Sequence, residues 1–224
     1  MSKTKQQSDM HYGACPKKIE SREQTIIQSY REHYHSVSIP EDKQYWTICG
    51  RCSYDGTKLE LNCEPDQIIK SNLAKSNQIH GIELLGNIHK WNVTAHPEIN
   101  WHLGDFYETM VEYSNDHEFN PAIVNADLLF LPKNGTAYLS KLMQFLSSVD
   151  GDIMLTANMI AERRHFKFGI QDIIDGLSEE PCFQCAVHNA EWSFHNEYYW
   201  YRGTGNRART KMMSIVMFKS KEGR

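Results

Sequence analysis

Two short apolar runs each stop on a carboxylate. Ile79-His80-Gly81-Ile82-Glu83 is the first, and Asn100-Trp101-His102-Leu103-Gly104-Asp105-Phe106 is the second. A helix-like segment separates them. In a parallel sheet covered by helices, strand C-termini open onto one edge, and ligands bind in that crevice. Two acids on successive strand ends suit the hydroxyls of a ribose and the exocyclic amine of an adenine. They point to a nucleoside-bearing cofactor.

The elements that must position these acids alternate along the chain. Ser21 to His35 reads as a helix, with Ile26, Ile27, Tyr30 and Tyr34 near helical spacing. Tyr45 to Cys49 reads as a buried strand of β-branched and aromatic residues. A polar loop, Gly50 to Asn62, carries the turn signal Asp55-Gly56. Glu64 opens a helix through about Ala74, with Pro65 in its first turn. Strands follow at Gln78–Glu83, Trp101–Leu103, Pro121–Ala126 and Asp152–Asn158. Between and after them come helices at Asn87–Ala95, Tyr107–Tyr113, Thr136–Ser148 and Ile170–Leu177. The helix from Thr136 has its apolar stripe in Leu139, Leu142, Met143 and Leu146.

The last third breaks the rhythm. Glu197–Arg202 and Thr210–Lys219 are strand-like and flank Gly203-Thr204-Gly205-Asn206, which makes an antiparallel hairpin. Parallel strands need a long crossover, so this pair does not continue the βα pattern. The expected fold is α/β: a three-layer Rossmann-like sandwich with a mostly parallel sheet and a C-terminal antiparallel hairpin. Residues 1–18 read as a flexible N-terminal tail, and 19–224 as one domain led by a helix.

This order of elements, with Glu83 and Asp105 where they stand, resembles the class I S-adenosylmethionine-dependent methyltransferases over roughly Gln44 to Lys219. The resemblance implies a seven-stranded sheet whose last strand is reversed, and S-adenosylmethionine as cofactor. It implies that Cys49 and Gly50 lie beside the methionine part. Glu83 accepts from the ribose hydroxyls, Asp105 from the adenine amine, and Phe106 packs near the ring. Asn125 and Asp127, ending the fourth strand, face the transferred methyl group and the acceptor, a nucleic-acid base or a small planar molecule. The first loop holds only two glycines, Gly50 and Gly56, where the family usually has several.

A second reading stays open beside it. Cys49-Gly-Arg-Cys52 and Cys182-Phe-Gln-Cys185 are two CxxC pairs, and four thiolates satisfy a tetrahedral zinc. Their separation is far longer than in zinc ribbons, and buried cysteine is also an ordinary small hydrophobe. That reading gives a non-catalytic Rossmann-like module, zinc-stapled, binding nucleic acid or a protein. No residue is assigned as a metal ligand.

Composition bounds the rest. The chain has 224 residues, 40% hydrophobic and 23% charged, enough for one sizeable core. A net charge of -4 argues against a whole-surface grip on nucleic acid. Local basic clusters remain at Arg163, Arg164, His165 and Lys167, and at Arg202, Arg207, Arg209 and Lys211. No apolar run approaches the roughly 20 residues that span a bilayer, and Met1 to Asp9 lacks a signal-peptide core. A cytoplasmic protein with free or metal-bound thiols is expected. The aromatic run Trp192, Phe194, Tyr198, Tyr199, Trp200 and Tyr201 suits either packing on the sheet or stacking on a flat substrate.

Overall fold

Strand β1 (Gln44–Ile48) lies inside the sheet because its residues suit burial on both sides: Tyr45, Trp46 and Thr47 are all buried. It pairs in parallel with β2 (Ile79–Glu83) on one side and β4 (Pro121–Ala126) on the other. β2 pairs with β3 (Asn100–Leu103), and β4 with β5 (Ile153–Arg163), again in parallel. β8 (Thr210–Ser220) is antiparallel to both β5 and β7 (Glu191–Arg202). The strand order is β3-β2-β1-β4-β5-β8-β7, with the two-residue β6 (Phe166–Lys167) paired to β5 off this path. The computed structural model describes residues 16–48, 63–127, 132–163, 166–167, 169–180, 191–202 and 210–220.

The direction of strand addition reverses between β1 and β4. That is a topological switch point, where open α/β sheets leave a crevice at the carboxyl ends. Helices cover both faces, and strand residues alternate between them. On one face Trp46, Ile82, Val124, Leu155 and Ile215 meet Met110 of α5 (Phe106–Asp116). Leu139, Leu142 and Leu146 of α6 (Pro132–Ser147) and Ile173 of α7 (Ile170–Ser178) complete that layer. On the other face Tyr45, Ile79, Ile123, Met154 and Phe218 meet Ile26, Ile27, Tyr30 and Ile68. Those last four come from the N-terminal helical stretch and from α3 (Glu64–Lys70). The N-terminal stretch is α1 (Pro16–Arg22), a π-helical segment (Glu23–Gln28) and α2 (Ser29–Tyr34). His35, in the left-handed region at φ 50°, ends it. Helix α4 (Gly86–Ala95) joins β2 to β3.

Gly81 admits the Trp101 ring onto β2. A Cβ there would meet Cζ3 of Trp101 at 2.3 Å. Adjacent strands thus lock at Gly81 and Trp101, which are register partners.

Element boundaries differ from the expected ones where apolar spacing is uninformative. The first helix starts at Pro16 rather than Ser21, and Lys18 is buried in it. Strand β5 runs on to Arg163 and β7 begins at Glu191, because each continues the antiparallel ladder with β8. Among the described residues no helix is long and apolar enough to cross a membrane.

Candidate active site

The cleft opens at the carboxyl ends of β1 to β4. Ile48, Ile82, Leu84, Gly104, Asp105, Phe106, Asp127 and Tyr138 line it. Each strand contributes residues at or just beyond its carboxyl end, where the switch point opens the sheet.

Glu83 ends β2 and is buried. Its partner across the ladder is Leu103, and the Gly104 N–H donates to the Glu83 carbonyl at 3.1 Å. This bond holds the turn that delivers Asp105 beside Glu83's strand end. Burial pushes the Glu83 carboxyl above the usual carboxylate range. The N–H groups of Leu85 and Leu84, and then His89, act the other way. Leu85 N–H donates to Oε1 at 3.3 Å.

Asp105 caps α5. Its Oδ1 accepts from the N–H of Tyr107 at 2.9 Å and of Glu108 at 3.2 Å, the usual use of Asp at a helix start. The Tyr138 hydroxyl donates to the same oxygen at 3.2 Å, and itself accepts from Tyr107 N–H at 2.9 Å. Burial raises the Tyr138 pKa, so the phenol stays protonated. Oδ2 of Asp105 has no hydrogen-bond partner among the described residues. Phe106, buried in the core below, and exposed Leu84 give the cleft apolar surface.

Asp127 follows β4 and reaches the cleft. Its Oδ2 accepts from the Lys18 ammonium of α1, and the two side chains are only 8% and 10% exposed. Oδ1 of Asp127 is buried with no hydrogen-bond partner among the described residues.

Asn125 is placed differently. It is 1% exposed and stands in a polar row crossing the sheet. Thr47, Asn125 and Thr156 are register partners on β1, β4 and β5. Asn125 Nδ2 donates to Glu64 Oε1 at 2.8 Å, and its Oδ1 accepts from Thr156 Oγ1 at 2.7 Å. Glu64 Oε1 also accepts from the Tyr45 hydroxyl at 2.7 Å and from Thr47. Arg22 Nε lies 3.1 Å from Glu64 Oε2, an ion pair aligned too poorly for a hydrogen bond. A second buried polar link, Ser21 Oγ to Ser214 Oγ at 2.7 Å, ties α1 to β8. Lys18 and Arg22 are one helical turn apart, so both reach from the same side of α1.

Asp105, Phe106 and Asp127 line the cleft, whereas Glu83 is buried at the end of the neighbouring strand and is not among the lining residues. Asn125 is buried in the sheet with both amide atoms bonded to the protein. Cys49 and Gly50 lie outside the described residues, as do Cys52, Cys182 and Cys185 of the CxxC pairs. Trp192, Phe194 and Tyr199 pack against the core, and Trp192 Nε1 donates to Ser147 at 2.9 Å. For these three residues that is the packing reading, and the side chains of Trp200 and Tyr201 lie outside the described ones. Sequence reasoning missed Lys18, Leu84 and Tyr138. Tyr138 borders the apolar stripe of α6 and carries no local signal of its own.

No protein-family model and no curated protein matches the sequence. Solved structures do resemble it. One is the N-methyltransferase NodS from Bradyrhizobium japonicum WM9, in complex with S-adenosyl-L-homocysteine. It has 10% identity over 97% of this chain and 94% of that one, with a TM-score of 0.53. Another is yhhF from Escherichia coli, with 13% identity over 93% and 89% and a TM-score of 0.48. At this identity the likeness to NodS is one of fold. The chain has the class I S-adenosylmethionine-dependent methyltransferase fold.

Proposed function

We propose that the chain binds S-adenosylmethionine at the carboxyl ends of β1 to β4 and transfers its methyl group to an acceptor beside Asp127. One observation carries this reading: Glu83 and Asp105 stand at the ends of adjacent parallel strands, linked by the Gly104-to-Glu83 bond. An adenosyl group offers hydrogen-bond donors in two places, the ribose diol and the adenine amine. Carboxylates accept. The two donor groups of the ligand therefore match the two carboxylates at these strand ends.

In this scheme Glu83 accepts from the ribose hydroxyls. Asp105 offers Oδ2 to the adenine amine while Oδ1 stays fixed by the helix cap and Tyr138. Phe106, Leu84 and Ile82 supply apolar surface for the ring. Cys49 and Gly50, which follow β1, are assigned to the methionine part. When bound, the cofactor supplies an electrophilic methyl group on a sulfonium. The chain's own task is then alignment and exclusion of water.

Asp127 is assigned to the acceptor. Its Oδ1 is the buried polar atom left over at that end of the cleft. A carboxylate there orients an acceptor N–H or O–H, or takes its proton. Lys18 holds Oδ2, so the group acts through one oxygen. Asn125 is a positioning residue that steadies Glu64 and the strand end. Because Asp127 is covered by Lys18 of α1, a small planar acceptor suits the cleft better than a base still stacked in a duplex.

A thermal-shift series with S-adenosylhomocysteine tests the reading. The melting temperature of the wild type rises with ligand concentration. Glu83→Ala folds and shows no rise. A flat wild-type response, or an undiminished one in Glu83→Ala, overturns it.

A further inference from the structure

Cys63, Asp66 and His96 bring a thiol, a carboxylate and an imidazole together at a place the cleft does not use. Cys63 immediately precedes α3, Asp66 sits in its first turn, and His96 ends α4. The sequence Cys63-Glu64-Pro65-Asp66 spaces the first two by three residues. Across a helix start that spacing presents both side chains on one side, while Glu64 turns inward to the sheet. Cys63 Sγ lies 2.9 Å from Asp66 Oδ2 and 3.8 Å from His96 Nε2. Nε2 lies 3.8 Å from Asp66 Oδ2. All three ligand atoms fall within 4.8 Å of one another.

We propose that these three side chains bind one zinc ion. Zinc takes thiolate sulfur at about 2.3 Å, imidazole nitrogen at about 2.0 Å and carboxylate oxygen at about 2.1 Å. Arranged tetrahedrally at those lengths, the ligand atoms stand roughly 3.3 to 3.6 Å apart. The three separations here bracket that range, so side-chain adjustment alone seats the ion. Thiolate with imidazole favours zinc over magnesium or calcium, which prefer oxygen. A tetrahedral ion keeps a fourth position beyond these three ligands.

The far side of His96 is a second, independent observation. Its Nδ1 faces Glu98 Oε1 at 3.4 Å. Histidines that ligate metals characteristically give their other ring nitrogen to a carboxylate, which fixes tautomer and orientation. The backbone here is pinned as well, since Trp101 Nε1 donates to the His96 carbonyl at 2.8 Å. Helix capping does not explain the cluster: Cys63 occupies the N-cap position of α3 yet makes no side-chain cap bond. The ion ties the start of α3 to the turn entering β3. It uses none of the cysteines in the CxxC pairs, and it does not depend on the methyl-transfer reading.

The full-length chain, stripped with EDTA, is titrated with zinc against a chromophoric chelator and with cobalt(II) by absorption spectroscopy. One site is expected. Its cobalt form shows a thiolate charge-transfer band and the strong visible bands of tetrahedral cobalt. His96→Gln weakens zinc at least tenfold. Glu98→Gln, at a half-exposed position that leaves folding intact, weakens it by about ten- to a hundredfold. Cys182→Ser together with Cys185→Ser changes nothing. Three results overturn the proposal: no zinc binding, affinity unchanged in both His96→Gln and Glu98→Gln, or affinity lost with Cys182 and Cys185.

Discussion

Lys18, in the first helix, ion-pairs with Asp127 at the end of the fourth strand, 109 residues along the chain. Asp127 lines the strand-edge cleft, and the pair is almost wholly buried. It joins the N-terminal helix to the sheet at the very point assigned to the acceptor.

Breaking the pair from one side leaves a buried charge alone. Lys18→Met therefore costs about 3 kcal/mol in urea unfolding, because Asp127 keeps its desolvation penalty without its partner. Lys18→Met with Asp127→Leu regains most of that loss. Equal stability of Lys18→Met and the wild type contradicts the buried pairing.

Gly81 is a packing site. Gly81→Ala puts a methyl group 2.3 Å from Cζ3 and 2.5 Å from Cε3 of Trp101, a rigid ring that cannot fold away. The expected loss is about 1–3 kcal/mol, the usual cost of overpacking. Trp101→Leu in the same background recovers part of it. An unchanged melting temperature in Gly81→Ala speaks against the β2–β3 contact.

The strand ends show how much of this site the sequence carries. Glu83 and Asp105 are legible because a carboxylate closing an apolar run is a local signal, and the strand order then sets them side by side. Asn125 and Asp127 look equivalent in sequence, two residues apart and on one face of the strand end. The structure separates them: Thr156 and Glu64, distant in sequence, occupy both amide atoms of Asn125, while Asp127 reaches the cleft. Lys18 is illegible for the same reason. Its helix starts among polar residues, and its burial depends on Asp127, which no spacing rule connects to it. The Cys63 cluster is likewise assembled by tertiary contact, since His96 comes from the following βα unit.

Stability falls in mild acid because of a buried histidine. His80 stacks on Trp46 with centroids 4.2 Å apart, and its Nδ1 lies 3.1 Å from Nε2 of His102. Burial first, then His102 and His117, holds its pKa down to about 3 from an ordinary 6.5. The unfolded chain gains this proton near pH 6.5, while the folded chain refuses it until about pH 3. The folded state thus keeps its full advantage above pH 6.5 and loses it as pH drops toward 3. At pH 5 the loss is about 2 kcal/mol. His80→Phe keeps the stack and flattens the curve of unfolding free energy against pH. Parallel curves for variant and wild type rule this out.

Glu83 trades stability for binding. Burial raises its carboxyl pKa, so the fold prefers the protonated form. The group favours folding at low pH, and that contribution is lost as pH rises through the folded-state value. Ionising this carboxyl is therefore a cost to the fold. Glu83→Gln removes it, and calorimetric scanning at pH 7 shows a melting temperature at or above that of the wild type. A markedly lower one refutes the trade.

The most direct measurement is calorimetric titration of the purified chain with S-adenosylmethionine, run in parallel on Glu83→Gln and Asp105→Asn. One binding event per wild-type chain is expected, abolished in Glu83→Gln and weakened at least tenfold in Asp105→Asn. Absence of wild-type binding, or equal affinity in all three proteins, contradicts this binding mode.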